Sequence, residues 1–314
     1  MAGLQRVYRA RIKSTQSLGK IFRAMELIAA SRIGRARAAA AHQRPYANAL
    51  TRAVALAASH VREEIRHPLI SLRPEVKRVA LLVLAADRGM AGAYTANLLR
   101  EAEGHAAELE QAGFKVDRFV AGRRAVSYYD FRGVPLKKTW LGSSDAPTYL
   151  IAKDIAETLL DAFTSESDSP DAVGELHVVY THFWNMVSQT PRIVRLLPLQ
   201  LVEEAEADQV TALPPVGIED DAAQVFPLYS FEPSPEGVLD ALLPRYVRSR
   251  IFDCLLQAAA SELANRQRAM HTATDNAEDM VRKYTRLANE ARQADITQEI
   301  SEIVSGADAL AASL

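Results

Sequence analysis

From Arg245 to Ser305 the chain contains neither proline nor glycine. Apolar residues recur there at every seventh position. Leu263, Met270, Ala277, Tyr284 and Ala291 form one line, and Ala273, Met280, Leu287 and Ala294 form a second. A strict seven-residue repeat on an α-helix is covered continuously only by a partner helix that supercoils with it to the left. At the α-helical rise per residue, such a helix is roughly 90 Å long. That exceeds the width of a compact domain of this size, so part of it must project, and a projecting helix needs a companion.

The other end of the chain offers one. Leu4 to about Ser59 reads as helix: Leu18, Ile21, Met25 and Ile28 lie three and four apart on one face, and alanine dominates from Ala36 to Ala58. Gly19 and Gly34 weaken this helix, and Pro45 is expected to kink it. Two long helices at opposite chain ends imply an antiparallel coiled coil closed by a domain between them.

The middle of the chain has a different period. Val76 to Ala86 is a continuous apolar run of strand length, as suits a central parallel strand covered on both faces. A helix to about Ala112 follows, then a strand from Phe114 to Ala121 and a short helix from Gly122 to Tyr129. A further helix spans Leu150 to Phe163, with strands from Glu175 to His182 and Ile193 to Val202. This alternation implies an open, Rossmann-like α/β sheet domain over residues 75–232, with the shaft in 1–62 and 235–312. Before the last helices, Ser234 can cap and Pro235 suits a first helical position, while Pro244 is expected to kink or break the helix it opens. Gly306 is a plausible terminator.

Chemistry is harder to find. The turn DRGMAGAY, Asp87 to Tyr94, could cradle a phosphate at a helix N-terminus. It has only Gly89 and Gly92, however, not G-x-G-x-x-G, and no P-loop lysine follows, so a tight strand–helix turn is the plainer reading. The histidines have no zinc spacing, and His177 and His182 at the ends of a strand read as structural. The lone Cys254 in an apolar stretch reads as a buried small hydrophobe. Ser165 to Gly174 reads as a mobile surface loop. No apolar run approaches bilayer length. Residues 1–60 carry eleven Lys/Arg and a single acid, Glu26. This basic segment admits three readings: a transit peptide, a nucleic-acid contact, or a surface that meets acidic protein.

The final turns, ITQEISEIVSGADA from Ile296 to Ala309, resemble the signature of the gamma subunit of F-type ATP synthases. RAMHTATDNA (Arg268 to Ala277), ARQADITQE (Ala291 to Glu299), IKSTQSLGKIFRAMELIAASRI (Ile12 to Ile33), DRGMAGAY and GRRAVSYY (Gly122 to Tyr129) are similar to further segments of that family. Phe22 departs from it, since a small polar residue is usual there.

The resemblance implies a central rotor shaft, coupling proton-driven ring rotation to conformational change at catalytic sites on other subunits, with no bond chemistry and no cofactor of its own. It implies as partners the alpha and beta subunits, the epsilon subunit and the membrane c-ring, without nucleic acid or direct nucleotide binding. It places the chain peripherally at the cytoplasmic face of a bacterial plasma membrane. It favours the protein-surface reading of the basic segment. Carried over by motif, Arg292, Gln293, Thr297 and Glu299 would contact a beta-subunit loop, Met25 would sit near a beta-subunit lever, and Tyr229, Phe231 and Glu232 would touch the ring. Two rivals from other classes are an α/β nucleotide-binding enzyme with helical arms and a nucleic-acid-binding coiled coil.

Overall fold

The computed structural model describes residues 2–59, 69–70, 73–167, 169–199, 232 and 234–311. Its elements, in order, are α1 (Ala2–Ser59), β1 (Arg78–Leu84), α2 (Tyr94–Gln111), β2 (Lys115–Ala121), α3 (Arg123–Arg132), β3 (Leu136–Trp140), α4 (Tyr149–Thr164), β4 (Glu175–Phe183), β5 (Gln189–Leu197) and α5 (Pro235–Ala311). They form two compact units, one of residues 1–29 with 266–314 and one of residues 30–265.

In the second unit five strands form one sheet in the order β3-β2-β1-β4-β5. The β1–β2, β1–β4 and β2–β3 pairs are parallel, and the β4–β5 hairpin is antiparallel. β1 is central, which explains its unbroken apolar run. Ala80, Leu82 and Leu84 face a core completed by α4, by Leu50 and Val54 of α1, and by Leu239 to Ala258 of α5. Leu81, Val83 and Ala85 face the opposite core under α2 and α3. The edge strand β3 is absent from the sequence reading. Its run Leu-Lys-Lys-Thr-Trp buries only Trp140 and carries no apolar alternation. β5 begins at Gln189 rather than Ile193, because the hairpin register pairs Phe183 with Gln189.

Ser234 caps α5 as expected, its Oγ accepting from Gly237 N at 3.1 Å. Pro244 does not break α5, which runs through it, and α1 likewise runs through Pro45. A proline inside a helix costs about 3 kcal/mol. Around Pro244, Leu239, Leu243, Tyr246 and Val247 are all buried. At about 1.5–3 kcal/mol for each large apolar side chain buried, their packing outweighs that cost. Gly306 also lies within α5 rather than at its end.

The Ser165–Gly174 stretch is more firmly held than a mobile loop. Arg73 donates to the carbonyls of Phe163 and Ser165 and to Ser167 Oγ, Val173 N donates to Ala162 O, and Lys137 pairs with Asp171 at 2.7 Å. Cys254 is fully buried, and burial pushes its thiol up to about 12.

In the first unit α1 and α5 pair antiparallel. Tyr8 stacks on Tyr284 at 6.4 Å, Gly19 lies against Ala277, and Glu26 meets His271 at 3.1 Å. Along α1 the covered positions are Gln5, Tyr8, Ile12, Thr15, Gly19, Phe22, Glu26 and Ala29, alternating three and four apart. Along α5 they are Met270, Ala273, Thr274, Ala277, Val281, Tyr284, Leu287, Ala288, Ala291 and Asp295. The first predicted line of α5 therefore holds. Of the second, Ala273 and Leu287 are half-buried beside the more deeply covered Thr274 and Ala288, while Met280 and Ala294 are exposed. On α1 the covered line lies one residue beyond the exposed Leu18, Ile21 and Ile28, while Met25 is itself half-buried. Neighbouring lines share one period, so periodicity cannot choose between them. Contact can: Gly19 packs against Ala277, where a Cβ on the glycine would lie 3.5 Å from the alanine Cβ.

Two consequences are measurable. Gly122 has φ +114°, and a Cβ there would lie 2.2 Å from Ala85 O. Gly122→Ala should cost at least about 3 kcal/mol in urea unfolding. His182 is held down to about 4 by burial and by the guanidiniums of Arg192, Arg250 and Arg44. The unfolded imidazole takes up protons below about pH 6.5. Its contribution to stability is therefore full above that pH and falls as pH drops towards 4. His182→Phe should flatten the acid limb of the stability profile.

Candidate functional site

Helix pairing in the first unit leaves apolar surface uncovered. On α1, Leu4, Val7, Leu18, Ile21 and Ile28 are each about half exposed or more, and they share one heptad line with the half-buried Met25. The last covered position of α5 is Asp295. Beyond it Ile296 (45%), Ile300 (55%), Ile303 (71%) and Val304 (53%) lie exposed at helical spacing on one face. Leaving a large aliphatic side chain in water forgoes about 1.5–3 kcal/mol each, so a continuous apolar face at this spacing is a surface for another protein. On α5 this face is flanked by Asp295, Glu299 and Glu302, whereas on α1 the charge is positive. Arg6, Arg9, Lys13, Lys20 and Arg23 are exposed on α1, while its one acid, Glu26, is engaged by His271.

The motif residues fall at this surface. Arg292, Gln293, Thr297 and Glu299 are all exposed. Arg292 and Gln293 stand four and three residues before Ile296, flanking the apolar face. Met25 is half-buried beside the seam, and Glu232 is exposed. Tyr229 and Phe231 lie outside the described residues. Sequence reasoning missed Ile300, Ile303 and Val304. Their spacing was legible, but only the end of the covered seam at Asp295 shows that nothing in the described unit shields them.

The DRGMAGAY turn has a structural occupation. Asp87 accepts backbone hydrogen bonds from Arg123 N at 3.0 Å, Gly142 N at 2.9 Å and Ser144 N at 3.0 Å, and its own N donates to Ser144 Oγ at 2.9 Å. These groups come from the loops after β1, β2 and β3, so one carboxylate ties together three loops at the same end of the sheet. Met90 and Gly92 turn the chain into α2 with φ of 61° and 58°. Burial acts to raise the Asp87 carboxyl, but the backbone donors outweigh it and hold the group below the ordinary carboxylate range. The motif's acid is thus engaged with the protein's own backbone.

Comparison with known proteins gives one answer along the whole chain. A family model described as ATP synthase matches residues 5–310. The ATP synthase gamma chain of Beutenbergia cavernae is 59% identical, covering 100% of both chains. That of Kineococcus radiotolerans is 54% identical over 100% of this chain and 99% of its own. Among solved structures, a chain of the Euglena gracilis mitochondrial ATP synthase OSCP/F1/c-ring assembly in rotational state 3 is similar with a TM-score of 0.63 at 16% identity. It covers 100% of this chain and 96% of its own. A chain from the central stalk/c-ring of the Tetrahymena thermophila enzyme has a TM-score of 0.57 at 19% identity, covering 81% and 99%.

Asp87→Ala would leave three backbone donors without their acceptor. It should cost about 2–4 kcal/mol in chemical denaturation and speed amide exchange at Gly142 and Ser144. Because the carboxyl is depressed in the folded protein, its contribution is present above the ordinary carboxylate value. It fades as pH falls below that value, and the variant should lack this part of the acid dependence.

Proposed function

The chain belongs to the ATP synthase gamma family, and we propose that its paired helices are the central shaft that carries ring rotation to the catalytic sites of the alpha and beta subunits. The observation that carries this reading is the exposed apolar face of Ile296, Ile300, Ile303 and Val304 at the end of a helix pair, with a second apolar line on α1. A shaft seated in a hexamer needs such a face. It must be apolar enough to stay seated and must lie on helices that hold each other rather than the partner.

The subunit performs no bond chemistry in this reading. It acts by differential contact: an asymmetric shaft presents a different surface to each catalytic site and so favours a different conformation in each. A pair of packed helices transmits torque better than a single one. Arg292 and Gln293, with Thr297 and Glu299, supply polar contacts to a beta-subunit loop beside the apolar face. Met25 sits near a beta-subunit lever. The exposed cations of α1 meet acidic surfaces of the hexamer and steer assembly. Glu232, with Tyr229 and Phe231, belongs to the foot on the membrane c-ring, and the epsilon subunit joins the same stalk. The assembly sits at the cytoplasmic face of the membrane, and this chain is peripheral to it. In this reading neither nucleotide nor nucleic acid is its ligand.

Reconstitution with matching alpha and beta subunits tests the reading. One copy should join each hexamer, and ATP hydrolysis should depend on the last turns of α5. Ile300→Asp with Ile303→Asp should leave the helical circular dichroism intact and weaken hexamer association at least about tenfold, the scale of losing two buried aliphatic anchors. A folded wild-type chain that does not enter the hexamer would sink the proposal, and stoichiometric nucleotide binding to the isolated chain would replace it with the enzyme reading.

A further inference from the structure

Away from the helix-pair surface, α2 and β4 share a chain of titratable groups that the shaft function does not use. His177 Nε2 lies 2.7 Å from Glu175 Oε2, and His177 Nδ1 lies 2.7 Å from His105 Nε2. The outer nitrogen of His105, Nδ1, lies 3.5 Å from Glu108 Oε2. The two rings stack at 5.0 Å. His177 is buried and the side chain of His105 is 17% exposed, whereas that of Glu108 is 78% exposed.

The distances fix the protons. Glu175 is ionised, because its hydrogen bond from His177, against the opposing effect of burial, holds its carboxyl below the ordinary range. It accepts, so His177 Nε2 carries a hydrogen. In the neutral ring Nδ1 of His177 is then a bare acceptor, and His105 Nε2 must donate to it. His105 Nδ1 is left bare towards Glu108. One added proton is accommodated there, with both short bonds intact. A second has no such place. With both rings cationic, the facing nitrogens each carry a hydrogen at a separation that only a donor and an acceptor can occupy.

We propose that Glu175, His177 and His105 form an acid-sensitive latch that holds α2 to β4 while the imidazole pair carries at most one extra proton, and that the second proton opens it. The surrounding charges fit. From β5, Arg195 is the register partner of His177 and adds to the depression of Glu175. From β2, Arg118 is held by Glu103 and Glu110 of α2. From β1, the neighbour of His177 is Leu81. Among the described residues, the acids in contact with the two rings are Glu175 and Glu108. Burial and the neighbouring His177 also keep His105 below the ordinary imidazole range, so opening belongs to acid conditions. The latch is independent of the shaft reading.

Hydrogen exchange of the full chain tests it, corrected for the pH dependence of intrinsic exchange. As pH falls from about 6.5, the ordinary imidazole value, to about 4, peptides of α2 and the start of β4 should lose protection at least about tenfold. Peptides of α4, on the opposite face of the sheet, should not. In His105→Gln the α2 protection should no longer respond to pH over this range. Unchanged α2 protection in the wild type, a loss spread equally over α2 and α4, or the same pH response in His105→Gln would each overturn the latch. If that variant does not fold, the wild-type contrast between α2 and α4 decides.

Discussion

Close approach of two helices at Gly19 and Ala277 is the contact from which the functional surface follows. Helix pairs can approach closely only where side chains are small, and the seam here is built from Thr15, Gly19, Ala29, Thr274, Ala277 and Ala288 among larger residues. Small residues bury little area, so the pair depends less on apolar bulk than a leucine seam would. Bulk is kept instead on the outside, as Leu18, Ile21 and Ile28 on α1 and the isoleucines at the end of α5. A self-contained coiled coil would place its aliphatic residues the other way round. This inversion makes the helix pair a part for insertion into something else, as the shaft function requires. Phe22, where the family usually has a small polar residue, is half-buried in the seam and adds bulk three residues after the glycine contact.

The sheet obeys a different constraint. β1 is buried on both faces, and its two sets of alternating residues anchor two separate cores. The larger core includes residues of α1 from Leu50 and of α5 from Leu239, so the same helices that pair elsewhere are covered here by strands and α4. That packing lets α5 continue through Pro244. At the end of the sheet Asp87 does for the loops what the cores do for the strands: it satisfies backbone donors from separate connections with one charged acceptor. The acid of a motif that looks like a ligand site when read along the chain is, in space, a knot of backbone ties.

Much of this was legible in the sequence because it rests on local periodicity. The long helices, the central strand and the alternation of strands and helices each follow from residue spacing that a single element imposes. The Ser234 cap was legible for the same reason. β3 was not, since an edge strand with one buried residue has almost no pattern to read. The persistence of α5 past Pro244 and Gly306 was also hidden. Local propensity opposed it, and at Pro244 the deciding contacts come from residues distant in the chain. Among the proposed contact residues, Arg292, Gln293, Thr297 and Glu299 come from motif resemblance, whereas the isoleucines beside them required knowing where the seam stops.

The sequence by itself determined that the chain has two long amphipathic helices and an α/β centre, and which family it belongs to, because spacing and motif are properties of the chain. Only the tertiary structure decided which of two adjacent heptad lines is covered. Both lines have the same period, and the choice falls to packing contacts such as that of Gly19 with Ala277, between residues far apart in sequence. The same physical reason holds for Asp87 and for the His105–His177 pair. Hydrogen bonds between loops, and between a helix and a strand, depend on distance and orientation in space, which a one-dimensional pattern does not carry.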